Sequence, residues 1–163
     1  MKSEEKTVLE VSSFLRDSSG ALLPIEQADF SIPDPSYVEG ALVLSANGVE
    51  VLSLEHWDYV DQLWSYVVNM LESLKTSDSA STGFPDQPME LKFTRKGSYG
   101  VLVQSIARDD KRSAVVEEAE LLSVLREAGV RFFDRMQELD PRSASSYAQE
   151  RERLILSCQR SDS

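Results

Sequence analysis

The dipeptide Asn47-Gly48 separates two apolar runs, residues 37–45 and 49–54, and readily adopts the positive φ angles of a tight turn. This feature constrains the fold most, because strands joined by so short a turn must pair antiparallel. A second hairpin is expected further on. There Met89, Leu91 and Phe93 alternate with Glu90, Lys92 and Thr94, Lys96-Gly97 supplies the turn, and residues 99–108 (YGVLVQSIAR) return. Residues 7–16 are rich in Val, Ser and Phe and partly alternating, so they read as a further strand. Between that strand and the first hairpin, Gly20, Pro24, Pro33 and Pro35 forbid a long helix or a central strand. Residues 30–32 suit a short edge strand.

The apolar period changes after His56. Trp57, Val60, Trp64, Val67, Leu71 and Leu74 recur at steps of three and four, with Leu63 and Val68 widening the stripe, which predicts an amphipathic helix over residues 56–75. Trp57 and Trp64 fall on its apolar face and read as core side chains. Residues 76–87 (TSDSASTGFPDQ) then read as a polar connector. Ser113 suits the N-cap of a second helix carrying Val115, Leu122, Leu125, Phe132, Phe133, Met136 and Leu139 on one side. Glu117, Glu118 and Glu120 in its early turns suit the positive end of the helix dipole. Gly129 lies on the apolar side, which predicts the close approach of another element, with a kink as the alternative. Asp140-Pro141 opens a short third helix that includes Tyr147, Leu154 and Cys158. Hairpins make antiparallel sheets and amphipathic helices need a sheet to cover. The expected fold is therefore α+β: an antiparallel sheet of about five strands with two or three helices packed mainly on one face. At this length one globular domain over residues 1–158 is expected, with a flexible tail at 159–163.

Charge narrows the function. The chain has 28 Asp and Glu against 17 Lys and Arg, a net charge of −11, and all of that excess lies in residues 1–88, where 15 acids face 4 bases. Such a surface repels phosphate backbones and anionic headgroups, so neither nucleic acid nor membrane is expected as a partner. The local basic excess at residues 89–112 is spread over two strand ends and a turn, and Asp109 and Asp110 interrupt it. No apolar run nears the roughly 20 residues of a membrane span, and Met1 to Lys6 lack the apolar stretch of a secretory signal; a cytoplasmic protein is expected. The single Cys fits a reducing compartment.

Enzymatic chemistry finds little support. Phosphate-loop, dinucleotide, CxxC, HExxH and GxSxG signatures are all absent, so no enzyme, cofactor or metal is expected. His56, the sole imidazole, has no nucleophile or second ligand marked beside it and reads as a partly exposed structural residue. Cys158 reads as an incidental free thiol. The acids are more suggestive. Glu55, Asp58 and Asp61 stand three residues apart and would form one stripe on the solvent side of the first helix. Acids in a first helical turn also suit the dipole without any further role. With Glu39 and Asp86 from the flanking segments, these five carboxylates are the expected binding residues for a basic protein, whose association their field would speed.

The run from Leu54 to Trp64 (LEHWDYVDQLW) and the later run from Gly83 to Phe93 (GFPDQPMELKF) resemble small bacterial immunity proteins, which neutralise toxins of polymorphic or contact-dependent systems. The similarity spans residues 37–107 and lies in a strand entering a Trp-Asp helix, then a Pro-Asp-Gln-Pro turn entering a hairpin. It implies a cytoplasmic protein that binds one cognate toxin domain and blocks it. Such toxins are often basic nucleases, whose phosphate substrate an acidic inhibitor mimics. The other reading is a secretion chaperone or adaptor binding an effector segment, although those proteins normally open with a helix and here the first element reads as a strand.

Overall fold

The computed structural model describes residues 8–159. The expected flexible tail therefore lies outside the described residues except for Gln159, as do Met1 to Lys6. The chain builds two antiparallel sheets and three α-helices, an α+β fold.

In the first sheet, β1 (Leu9–Arg16) turns through Asp17 and Gly20 into the short β2 (Leu22–Pro24). The strand β3 (Glu39–Ala46) pairs along the whole of β1, from Leu9 opposite Ala46 to Leu15 opposite Gly40. The hairpin to β4 (Val49–Leu52) has Asn47 at φ 54° and Gly48 at φ 83°, the turn their sequence predicts. Two residues of β5 (Asp58–Tyr59) then pair with the start of β3, Glu39 opposite Tyr59 and Gly40 opposite Asp58. Gly40 is required there: a Cβ would meet the Phe14 carbonyl oxygen and the Val60 side chain.

The helix α1 (Val60–Leu74) starts four residues later than its apolar stripe suggests. Pairing of Asp58 and Tyr59 with β3, and a one-turn 3-10 helix over Leu54–His56, take up the residues before it. Then comes a second sheet of four strands in sequence order, β6 (Ser79–Gly83), β7 (Glu90–Lys96), β8 (Gly100–Ala107) and β9 (Asp110–Glu117). Two of these strands depart from expectation. Ser79–Gly83 lies in the presumed connector and turns only Ala80 fully inward, so it offers no alternation to detect; its ladder with β7 holds it. Ser113 is in mid-strand rather than at an N-cap. Pairing along the whole of β8 draws Val115 and Val116 into β9, and α2 (Glu118–Leu139) begins only after it. Residues 30–32 form no strand.

The third helix, α3 (Ala144–Ser157), packs against α2 and α1, while α2 crosses β1 and α1 crosses β6 and β3. Their buried side chains join those of both sheets in one contiguous cluster. At its centre Trp64 contacts Phe132 and Phe133 at centroid separations of 6.1 and 6.2 Å, and its indole N–H donates to Ser13 Oγ at 2.9 Å. Gly129 is the close approach its position predicts, since a Cβ there would meet Leu154 and, at 2.9 Å, the Trp64 ring. Two arginines tie the layers together. Arg95 of β7 donates to the carbonyls of Leu74 and Ser77 and pairs with Glu118, and Arg112 of β9 donates to the Glu50 carbonyl of β4 at 3.1 Å. Among the described residues no helix is long and apolar enough to cross a membrane.

Candidate functional site

Glu55, Asp58 and Asp61 do not form the expected solvent-side stripe. Asp58 is only 3% exposed and precedes the helix. Its Oδ1 accepts from the Tyr59 N–H at 2.7 Å, and its Oδ2 accepts from the N–H groups of Asp86 and Gln87 at 3.0 and 2.8 Å. A buried carboxylate with three backbone donors is a fixed joint: it anchors the Pro85-Asp86-Gln87-Pro88 turn against the entry to α1. Gln87 completes the joint by donating from Nε2 to the Trp57 carbonyl at 2.8 Å. Asp61 also faces inward. Its Oδ2 accepts from the Tyr147 hydroxyl of α3 at 3.1 Å, and burial raises its pKa against the opposing effect of that bond. The spacing of three correctly relates Glu55, Asp58 and Asp61 along the chain. Only Glu55 is exposed, and it faces Arg112 at 3.5 Å.

Glu39 and Asp86, 47 residues apart in the chain, are brought together around Tyr59. The Tyr59 hydroxyl is held above its ordinary value by desolvation first and then by the charges of Asp86 and Glu39. Asp86 sits exposed at the tip of the turn that Asp58 anchors. Glu39 accepts from Arg16 Nη1 at 3.2 Å.

Around these acids lies an aromatic surface that the sequence pattern assigned elsewhere. Trp57 is 38% exposed rather than buried in a helix face, because its residue precedes α1. The Arg16 guanidinium lies over its ring, 4.7 Å from the centroid. Tyr37 is 56% exposed and packs against Tyr59 with centroids 5.3 Å apart. Tyr37, Tyr59, Arg16 and Glu39 line a cleft of about 690 Å³, together with Asp17 and Asp34. Leu54, in the 3-10 turn before Trp57, is exposed as well. Arg16 and Tyr37 escaped the sequence reading since neither belongs to a motif. The available signal was an aromatic in a Pro-rich loop.

The remaining reactive side chains are engaged in the fold. His56 is buried, and its Nδ1 accepts from the Ser53 N–H at 3.0 Å while Ser53 Oγ accepts from the Glu55 N–H. Burial, then the Arg112 charge, lowers its pKa, so it is a neutral cap rather than the partly exposed residue expected. Cys158 is buried too, and desolvation pushes its thiol up, away from the reactive thiolate. Among the described residues no group of three or more His, Cys, Asp or Glu is placed to hold a metal ion. No protein family, curated relative or solved structure matches this chain.

Proposed function

We propose that the protein is a binding protein rather than an enzyme, and that in the cytoplasm it neutralises a basic protein by docking it on the face around Trp57, Tyr37 and Asp86, as an immunity protein does a toxin domain. The observation that supports this reading is the coincidence of the exposed Trp57 and Tyr37 rings with the carboxylates of Glu39 and Asp86 around Tyr59. Trp, Tyr and Arg are the side chains that most often dominate binding energy at protein interfaces, and a rim of one charge sign selects and steers a partner of the other. Tyr37 and Trp57 supply the apolar surface, and Glu39 and Asp86 supply the charge. The resemblance over residues 37–107 names the kind of partner.

The test is co-expression with the basic C-terminal domain of a large secreted protein encoded beside this gene. Wild-type protein is expected to restore growth. A Trp57→Ala, Asp86→Lys variant, altered only at exposed positions, is expected to lose that protection and to associate about 10-fold more slowly at low salt. Protection unchanged by that variant refutes the proposed face, and an absence of protection by the wild type refutes the immunity reading.

A further inference from the structure

We propose that the cleft beside Tyr37 is a receptor for a single arginine side chain projecting from the basic partner, an inference that rests on the docking reading above and sharpens it. The cleft is built from three separate stretches of chain: the turn after β1, the loop before β3, and β5. Its walls present the Tyr37 and Tyr59 rings, and its rim carries the carboxylates of Asp17, Asp34 and Glu39 against the one guanidinium of Arg16. An anion would meet the carboxylates of Asp17 and Asp34 there, while Glu39 and Arg16 neutralise each other and the Arg16 guanidinium is stacked on Trp57.

Two of the carboxylates are held in place with one oxygen to spare. Asp17 uses Oδ1 for the Ser19 N–H, the Ser19 hydroxyl and the Ala21 N–H, and Asp34 uses Oδ1 for the Ser36 N–H. In each, Oδ2 takes part in none of these bonds, so the group is oriented in advance and retains acceptor capacity. A planar guanidinium suits this combination better than an ammonium, because it stacks on an aromatic face while its edge donates to carboxylates. The protein holds its own example alongside: Arg16 sits over the Trp57 ring with its edge on Glu39.

The probe is the peptide acetyl-Gly-Arg-Gly-amide, titrated into the full protein while the aromatic NMR signals of Tyr37 and Tyr59 are followed. Its isosteric citrulline counterpart, which lacks the charge, serves as control. The expected result is a saturable shift of both rings with millimolar affinity that weakens on adding salt. The citrulline peptide should bind at least about 10-fold more weakly. Tyr37→Ala and Asp34→Asn, both at exposed positions, should each reduce arginine binding several-fold with the thermal midpoint unchanged. Equal shifts from both peptides, or none that saturates, overturn the proposal. The growth assay separates this inference from the wider one. Protection that survives Tyr37→Ala overturns the arginine receptor and leaves the immunity reading standing. Saturable arginine binding by a protein that confers no protection supports the receptor and overturns the immunity reading.

Discussion

Asp58 and Asp86 show how little a carboxylate's residue type says about its role. Both are acids within the acidic stretch of residues 1–88, yet Asp58 holds three backbone N–H groups in a buried joint while Asp86 projects from the turn that joint secures. Replacing Asp58 by Ala leaves those donors without an acceptor and should cost about 3 kcal/mol in urea unfolding; Asp86→Ala should stay within about 0.5 kcal/mol. Charge reversal at Asp58 or Asp61 accordingly tests folding rather than association. His56 makes a second residue-scale prediction. Its folded pKa lies below the ordinary 6.5, so the unfolded chain takes up the proton first. Stability is therefore fully present above that value and falls as pH drops through it toward the lowered folded pKa. Protonation would also break the Ser53 contact and set a positive charge against Arg112, although Asp110, Glu55 and Glu50 favour the cation. Thermal midpoints measured from neutral to mildly acidic pH should decline, and His56→Gln should flatten that decline. Asp61 acts in the opposite sense: its raised pKa means that stability is lost as pH rises from 3.8 through the folded value.

Among the elements, those with a strong period or an obligatory turn were legible in the sequence, and those held by a neighbour were not. The β3–β4 hairpin and the apolar stripe of α1 follow from Asn47-Gly48 and from steps of three and four. The strand β6 is mostly Ser, Thr and Gly, and β9 begins in a charged run, so each owes its conformation to the ladder beside it. Trp57 was misplaced for a related reason: the stripe that continues through it is local, while the pairing of Asp58 and Tyr59 with β3 that delays the helix is not. Gly129 is the instructive case in α2. Helix propensity favours Ala over Gly by about 1 kcal/mol in an open helix. Here the added methyl meets Leu154 and the Trp64 ring, so Gly129→Ala should destabilise the protein by about 2 kcal/mol, measured by chemical denaturation.

At the scale of the whole molecule, the two sheets meet where β4 lies beside β9, and Arg112 crosses the junction to Glu50 while pairing with Asp110 and Glu55. Arg112→Ala should cost about 1 kcal/mol, because the group is partly exposed, and should speed hydrogen exchange in β4 before that in β1. The same folding that forms this corner turns Glu39, Asp86, Trp57 and Tyr37 toward one face. The sequence by itself determined the α+β class, the hairpin at Asn47, the close approach at Gly129 and the concentration of negative charge in residues 1–88, since period, turn chemistry and composition are local properties. Only the tertiary structure decided that the strands divide into two sheets, that Asp58 and Asp61 turn inward, and that Trp57 stays at the surface. Each of those outcomes depends on partners far away in the chain, such as the Asp86 N–H 28 positions beyond Asp58, and a backbone donor carries no mark in the sequence of the acceptor it will find.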